Sequence, residues 1–321
     1  MQKKFFLILR VRPDIEIIER VKQKTMNRIA SVFLFSLMGF SAHAEFKNLN
    51  EDCVNSLKKF PGAFDDKLLV SACAKAIVDD QCVSVEGRPI FHYDKLSTDP
   101  EAKKVLVFSL IHGDETHAGT VGRYWMERLE GISPRNSWRV IPVANPDGVK
   151  YKTRTNANKI DVNRNFPTRD WDQGAVVAWK KQTSSNPRRF PGIEGGSEPE
   201  TKCAMKHIDD FKPDFIVSVH TPLKVLDFDG PKVAPPKFDY LPWRSLGNYP
   251  GSLGRYMWLE RQTPVLTMEL KENLPPNLSP FDKLQDIIGT LVKLEAKAGK
   301  KSKDATVNKS PTSFLPVALE H

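Results

Sequence analysis

The segment LIHGDETHAG places His112 and Glu115 three residues apart, just past a run of apolar residues. An imidazole nitrogen and a carboxylate oxygen are both good zinc ligands, and a tight turn lets both face one point. A catalytic zinc needs a third protein ligand and an open position for water. His220 is the candidate, because it closes another apolar run, DFIVSV. Glu269 closes a third, PVLTM. Packing does not explain a carboxylate at the end of an apolar strand; the structural alternative is an ion pair with Lys271 or Arg255. His117 lies near the turn but faces away from it once a helix begins, so it reads as a supporting or surface residue. His92 and His207 have no metal-like neighbours along the chain, and His207, beside Lys206, Asp209 and Asp210, reads as part of a solvated helix face.

Side chains this far apart meet only if regular elements bring them together. Continuous apolar runs at 104–111, 138–143, 214–219 and 264–268 have the character of strands buried on both faces. From Cys82, VSVEGRPIFHY reads as a strand pair broken at 87–89. Helical patterns lie between the runs at about 117–130, 198–211, 252–261 and 279–296, with Ser197 as an N-cap for the second. NPDG at 145–148 is a turn by composition. Strands alternating with helices predict an α/β sandwich around a mostly parallel sheet. In such sheets ligands bind beyond the carboxyl ends of the strands, where His112, Glu115, His220 and Glu269 all fall.

The 321 residues, 40% hydrophobic, suffice for one large core or two small ones. Of the formal net charge of +9, +5 lies in residues 1–44 and +3 in 296–321, leaving a nearly neutral centre without a nucleic-acid footprint. Residues 1–44 form an export address: Lys22, Lys24 and Arg28, an apolar stretch at 29–40, and an A-x-A site at 42–44. Met26 is an alternative start, and cleavage after Ala44 makes Glu45 the first mature residue. The apolar stretch is too short to span a bilayer comfortably, so no stable membrane insertion is expected after cleavage, and the expected location is the periplasm. Export into an oxidising compartment makes two disulfides the expectation for Cys53, Cys73, Cys82 and Cys203, with Cys53–Cys73 favoured inside one helical segment. The organisation is then a small helical segment at 45–81, a catalytic domain at 82–296 and a basic disordered tail at 297–321.

HGDE at 112–115, NPDG at 145–148, NRNFP at 163–167, the strand-terminal His220 and TMEL at 267–270 follow one another in an order that closely resembles the zinc carboxypeptidase family. The resemblance covers roughly residues 82–295. TRTNANKIDVNRNFP and YPGSLG at 249–254 point to its bacterial murein peptide amidase branch. The resemblance implies a three-layer α/β/α sandwich around a mixed, mostly parallel sheet and one zinc ion held by His112, Glu115 and His220. It implies hydrolysis of an amide beside a free carboxylate, with Glu269 as general base and Arg154, rather than Lys150 or Lys152, facing the oxyanion. Asn163 and Arg164 would grip the carboxylate of the released residue, and Tyr249, or else Tyr256, would close over the substrate. The substrate implied is a murein peptide, cut between γ-D-glutamate and meso-diaminopimelate, whose ammonium Asp227 or Asp229 would meet. The cysteine-bearing N-terminal segment and the export address depart from that branch. A general carboxypeptidase is the alternative within the fold. A non-catalytic peptidoglycan-binding module is the alternative outside enzymes, although a dead module would lack one of the ligands or the base.

Overall fold

The computed structural model describes residues 48–292 except 233, 235, 248, 276 and 277. The chain divides into Met1–Glu45 and Phe46–His321, and the description concerns the second unit. The export address and the basic tail lie outside the described residues.

Seven described strands form one sheet in the order β1-β2-β4-β3-β5-β7-β6. They are β1 (Ile77–Val83), β2 (Pro89–Lys95), β3 (Lys104–Ser109), β4 (Ser137–Ile141), β5 (Phe215–His220), β6 (Val225–Asp229) and β7 (Val265–Glu269). The central strands β4, β3, β5 and β7 run parallel. The pairings β1–β2, β2–β4 and β6–β7 are antiparallel. The apolar runs are continuous because both faces of the central strands are covered. Val105 and Val107 of β3 join one core cluster, and Leu106 and Phe108 join the other.

On the first face pack α1 (Leu49–Leu57), α2 (Asp66–Cys73), α3 (Thr116–Glu130) and α7 (279–292). In α7, Phe281, Leu284, Ile288 and Leu291 recur at helical spacing and are all buried. On the second face lie α6 (Pro199–Phe211) and a π-helical turn at Arg255–Glu260. Two further helices are α4 (Pro146–Tyr151) and α5 (Trp171–Thr183). The disulfides are Cys53–Cys73, joining α1 to α2, and Cys82–Cys203, joining β1 to α6.

Several local expectations change. NPDG opens a helix instead of a plain turn: Asn145 accepts from the Gly148 amide at 2.8 Å as its N-cap, and Pro146 takes the first helical position. The N-cap of α6 is Glu198, one residue after Ser197. The edge strand β6 was not expected, because its two aspartates interrupt the apolar pattern. His207 is not on a solvated face. It is 0% exposed beneath α6, and its acidic and basic neighbours take the outer side of that helix.

One buried cation fixes the N-terminal helices to the rest. Arg123 of α3 is 0% exposed, and its guanidinium donates to the carbonyls of Leu57, Phe60, Pro61, Gly62 and Ala63 at 2.9–3.4 Å. Leu57 and Phe60 are buried while Pro61, Gly62 and Ala63 are exposed; the Leu57 carbonyl also accepts from the Phe60 amide and that of Pro61 from Thr120 Oγ1, so the Phe60 carbonyl depends most on the guanidinium. Leaving a buried carbonyl unpaired costs about 1–3 kcal/mol. Arg123→Met is therefore expected to lower the unfolding free energy by about 1–3 kcal/mol in urea titrations. A loss below about 1 kcal/mol would mean that water replaces the guanidinium at these carbonyls.

Candidate metal centre and active site

Parallel pairing brings distant parts of the sequence to one edge of the sheet. His220 ends β5 directly opposite Glu269, which ends β7. His112 and Glu115 follow β3, the neighbour of β5 on its other side. Glu115 is the N-cap residue of α3, where the helix dipole favours an anion. The turn between them is tight: a Cβ on Gly113 would lie 1.9 Å from the Gly148 carbonyl carbon, so only glycine fits. Beneath it, the Asn145 side chain donates to the Ile111 carbonyl at 3.2 Å, tying α4 to the end of β3.

His112 and His220 are each 2% exposed and Glu115 is 8% exposed. The His112 and His220 Nδ1 atoms lie 3.1 Å apart, and the Glu115 oxygens sit 2.8 Å from the first and 2.9 Å from the second. Burial alone would raise the pKa of Glu115, but the two imidazoles overcome this and hold it below the usual carboxylate range. Two nitrogens and a carboxylate converging on one buried point form a donor set that suits zinc. Asp79, His92 and His207 form another candidate group among the described residues, whereas Cys82 and Cys203 beside His207 are joined in a disulfide and offer no thiolate.

The supporting shell contains residues to which no role was given from sequence. Asp161 is fully buried, and its Oδ1 lies 3.2 Å from His112 Nε2. Its Oδ2 accepts from Arg154 Nε at 2.9 Å, and Oδ1 also accepts from the Asn163 amide at 3.0 Å. Ser218 Oγ lies 2.8 Å from His220 Nε2. Asp161 stands two residues before Asn163, but nothing in IDVNRN marks it off from a surface aspartate. Arg154 is aimed at the centre, with one terminal nitrogen 3.1 Å from His112 Nδ1 and 3.6 Å from Glu115.

The centre opens into a cavity of about 330 Å³ that holds every site residue expected from the sequence, lined among others by Arg154, Asn163, Arg164, Tyr249, Asp227 and Asp229. Arg164 lies 4.7 Å from the Tyr249 ring centroid. Burial lowers the Arg164 pKa to about 10, with Arg154 and Arg189 working in the same direction. Tyr256, by contrast, is 5% exposed and bonded by Arg261, away from this cavity. Gly251 sets the position of the tyrosine segment. Its φ is +79°, and a Cβ there would lie 1.9 Å from the Arg164 carbonyl oxygen. The Phe166 amide donates to the Gly251 carbonyl, and the Leu253 amide donates to Asn163 Oδ1.

Asp227 and Asp229 are two apart on β6 and so share a face. Burial, with Asp229 adding to it, raises the Asp227 pKa to about 6. Asp229 Oδ2 occupies the space a side chain at Gly254 would need. Glu269 also lines the cavity and accepts from the Leu223 amide at 3.3 Å. The two cations weighed as its ion-pair partners are engaged elsewhere, Arg255 with Asp170 and Lys271 over the Tyr240 ring.

Residues 77–228 match the family model for zinc carboxypeptidases. Over 201 residues the chain is 30% identical to murein peptide amidase A of Vibrio campbellii, covering 58% of this chain and 76% of that protein. The chain belongs to the zinc carboxypeptidase family. It is a metallo-hydrolase, and zinc is its cofactor. Murein peptide amidase A of Escherichia coli K12 is also 30% identical, over 147 residues, covering 45% of this chain and 59% of that protein. Among solved structures, the murein-tripeptide amidase of Escherichia coli O157 has a TM-score of 0.50 at 22% identity, covering 72% of this chain and 94% of that one. Bovine thrombin-activatable fibrinolysis inhibitor has a TM-score of 0.54 at 16% identity, covering 80% and 97%. These likenesses show the zinc carboxypeptidase fold, here with a mixed seven-stranded sheet.

Partners that orient a metal-binding histidine typically contribute 10- to 100-fold to metal affinity. Asp161→Asn is therefore expected to weaken zinc binding by about that factor, and also to lower the melting temperature of the metal-free protein because Arg154 loses its buried partner. Competition titration against a chelator checks this, and unchanged affinity would remove Asp161 from the centre.

Proposed function

We propose that this chain is an exported amidase that cleaves the bond between γ-D-glutamate and meso-diaminopimelate in murein peptides. The observation that carries the reading is one cavity lined by charges of both signs. Arg164, with Asn163 and Tyr249, and the carboxylates Asp227 and Asp229 all line it. Diaminopimelate presents carboxylates and an ammonium on the released side of the bond, and the cavity offers a group complementary to each. A planar guanidinium suits the carboxylate because it can bind both oxygens. The names of the Vibrio and Escherichia relatives support the same substrate class. The export address at 1–44 supports an envelope location. Among the described residues, no helix is long and apolar enough to cross a membrane.

In this reading His112, Glu115 and His220 hold the zinc. When bound there, zinc polarises the scissile carbonyl and acidifies water. Glu269 takes the proton of the attacking water and passes it to the leaving amine. Arg154, held by Asp161, donates to the oxygen on which negative charge develops, a contribution of about 3–4 kcal/mol for donors of this kind. Arg164 and Asn163 hold the free carboxylate, which fixes the amide relative to Glu269.

Incubating the protein with L-Ala-γ-D-Glu-meso-diaminopimelate is expected to release diaminopimelate, read by mass spectrometry. Release should stop on chelation, and Glu269→Gln should lower kcat by about 100-fold or more. Cleavage confined to blocked dipeptides ending in Phe or Lys would replace the murein reading with a general carboxypeptidase. No cleavage with zinc bound would sink the hydrolytic reading.

Asp227 gives a second test. Its carboxyl is neutral below about pH 6 and charged above it. A site for the substrate ammonium should therefore strengthen as pH rises through that value. KM for the diaminopimelate peptide is expected to fall several-fold between pH 5 and about 7. Asp227→Asn should abolish that part of the profile and leave the kcat profile in place.

A further inference from the structure

Away from the cavity, Asp79 of β1, His92 of β2 and His207 of α6 meet beneath the Cys82–Cys203 disulfide. We propose that these three side chains form a second metal site, for a nitrogen-preferring divalent cation such as zinc or copper. Both imidazoles are buried, His92 at 2% exposure and His207 at 0%, with ring centroids 4.7 Å apart. Asp79 Oδ2 lies 3.8 Å from His92 Nδ1 and 3.6 Å from His207 Nδ1. Ligand atoms at zinc–ligand distances near 2.0–2.1 Å in a tetrahedral site stand about 3.3 Å apart, so the two imidazoles must draw in towards Asp79 by a few tenths of an ångström from 3.8 and 3.6 Å.

Cys82 is in a disulfide and has no proton to give, and its sulfur lies 3.4 Å from His207 Nε2. A neutral ring with its proton on Nε2 would leave the His207 Nδ1 lone pair beside Asp79 Oδ2. Asp79 Oδ2 and His92 Nδ1 are buried and have no hydrogen-bond partner among the described residues. Buried acceptors without a donor favour a cation.

The fixed charges leave room for one. Arg139 is held in a two-point pair by Asp94 at 2.8 and 2.7 Å, and Lys206 pairs with Asp210. Asp79 is in contact only with the two imidazoles among the described ion pairs. One Arg139 nitrogen reaches His207 Nδ1 at 3.4 Å, and a metal on Nδ1 requires that nitrogen to turn aside about the pair that Asp94 makes with the other two guanidinium nitrogens. The Asp79 side chain is 28% exposed, so the site has a side open to solvent by which an ion can enter.

The test is metal stoichiometry on the tag-free mature protein, stripped with chelator and titrated with zinc. Wild type is expected to take up two equivalents, and Asp79→Asn and His92→Gln one each, with kcat on the peptide substrate within two-fold of wild type. A single equivalent in wild type at tens of micromolar zinc overturns the proposal. So does a second equivalent that survives in both variants, which places that metal elsewhere. Asp79 lies at the solvent edge, so its variant tests the site even if His92→Gln fails to fold. The readout is independent of which peptide the enzyme cleaves.

Discussion

The carboxylate of Asp161 is the point on which the candidate centre depends. It is fully buried, and burial alone would raise its pKa; the facing cations of Arg154 and His112 keep it ionised instead. That one charge lies against the imidazole of His112, holds Arg154 towards the centre, and pins the start of the loop carrying Asn163 and Arg164. These side chains come from three different stretches of chain, which the charge joins at one point inside a scaffold whose core is apolar.

The scaffold contributes position. Parallel pairing puts the carboxyl ends of β3, β5 and β7 side by side, and a residue-for-residue register sets His220 against Glu269. A shift of one residue in β7 would turn Glu269 to the opposite face of the sheet. Both faces are sealed by helices, so the strand register is fixed by burial along its whole length. The antiparallel edge strand β6 then adds two carboxylates on one side, a geometry that a parallel strand preceded by a long crossover would not reach from so close to His220.

What could be read in the sequence follows the same division. The strands were legible because double-sided burial writes continuous apolar runs, as in KVLVFS. His112, Glu115, His220 and Glu269 were legible because polar residues at the ends of such runs have no packing reason to be there. Asp161 and Ser218 were not, since a carboxylate or hydroxyl that works by touching another side chain leaves no pattern along the chain. The same holds for Arg123, one basic residue in a helix full of ordinary ones. His207 was misread for a related reason: its sequence neighbours are charged, but on a helix adjacent residues face different ways, and the histidine took the inner side.

The close approach of Gly251 to the Arg164 carbonyl has an implication for descent and redesign. Two segments separated by most of the catalytic half of the chain touch backbone to backbone, with no side chain between them to absorb a difference in shape. They can be inherited or exchanged only as a matched set. A loop transplanted from a relative into 249–254 must travel with its own 163–168, much as the two halves of a dovetail joint are cut together.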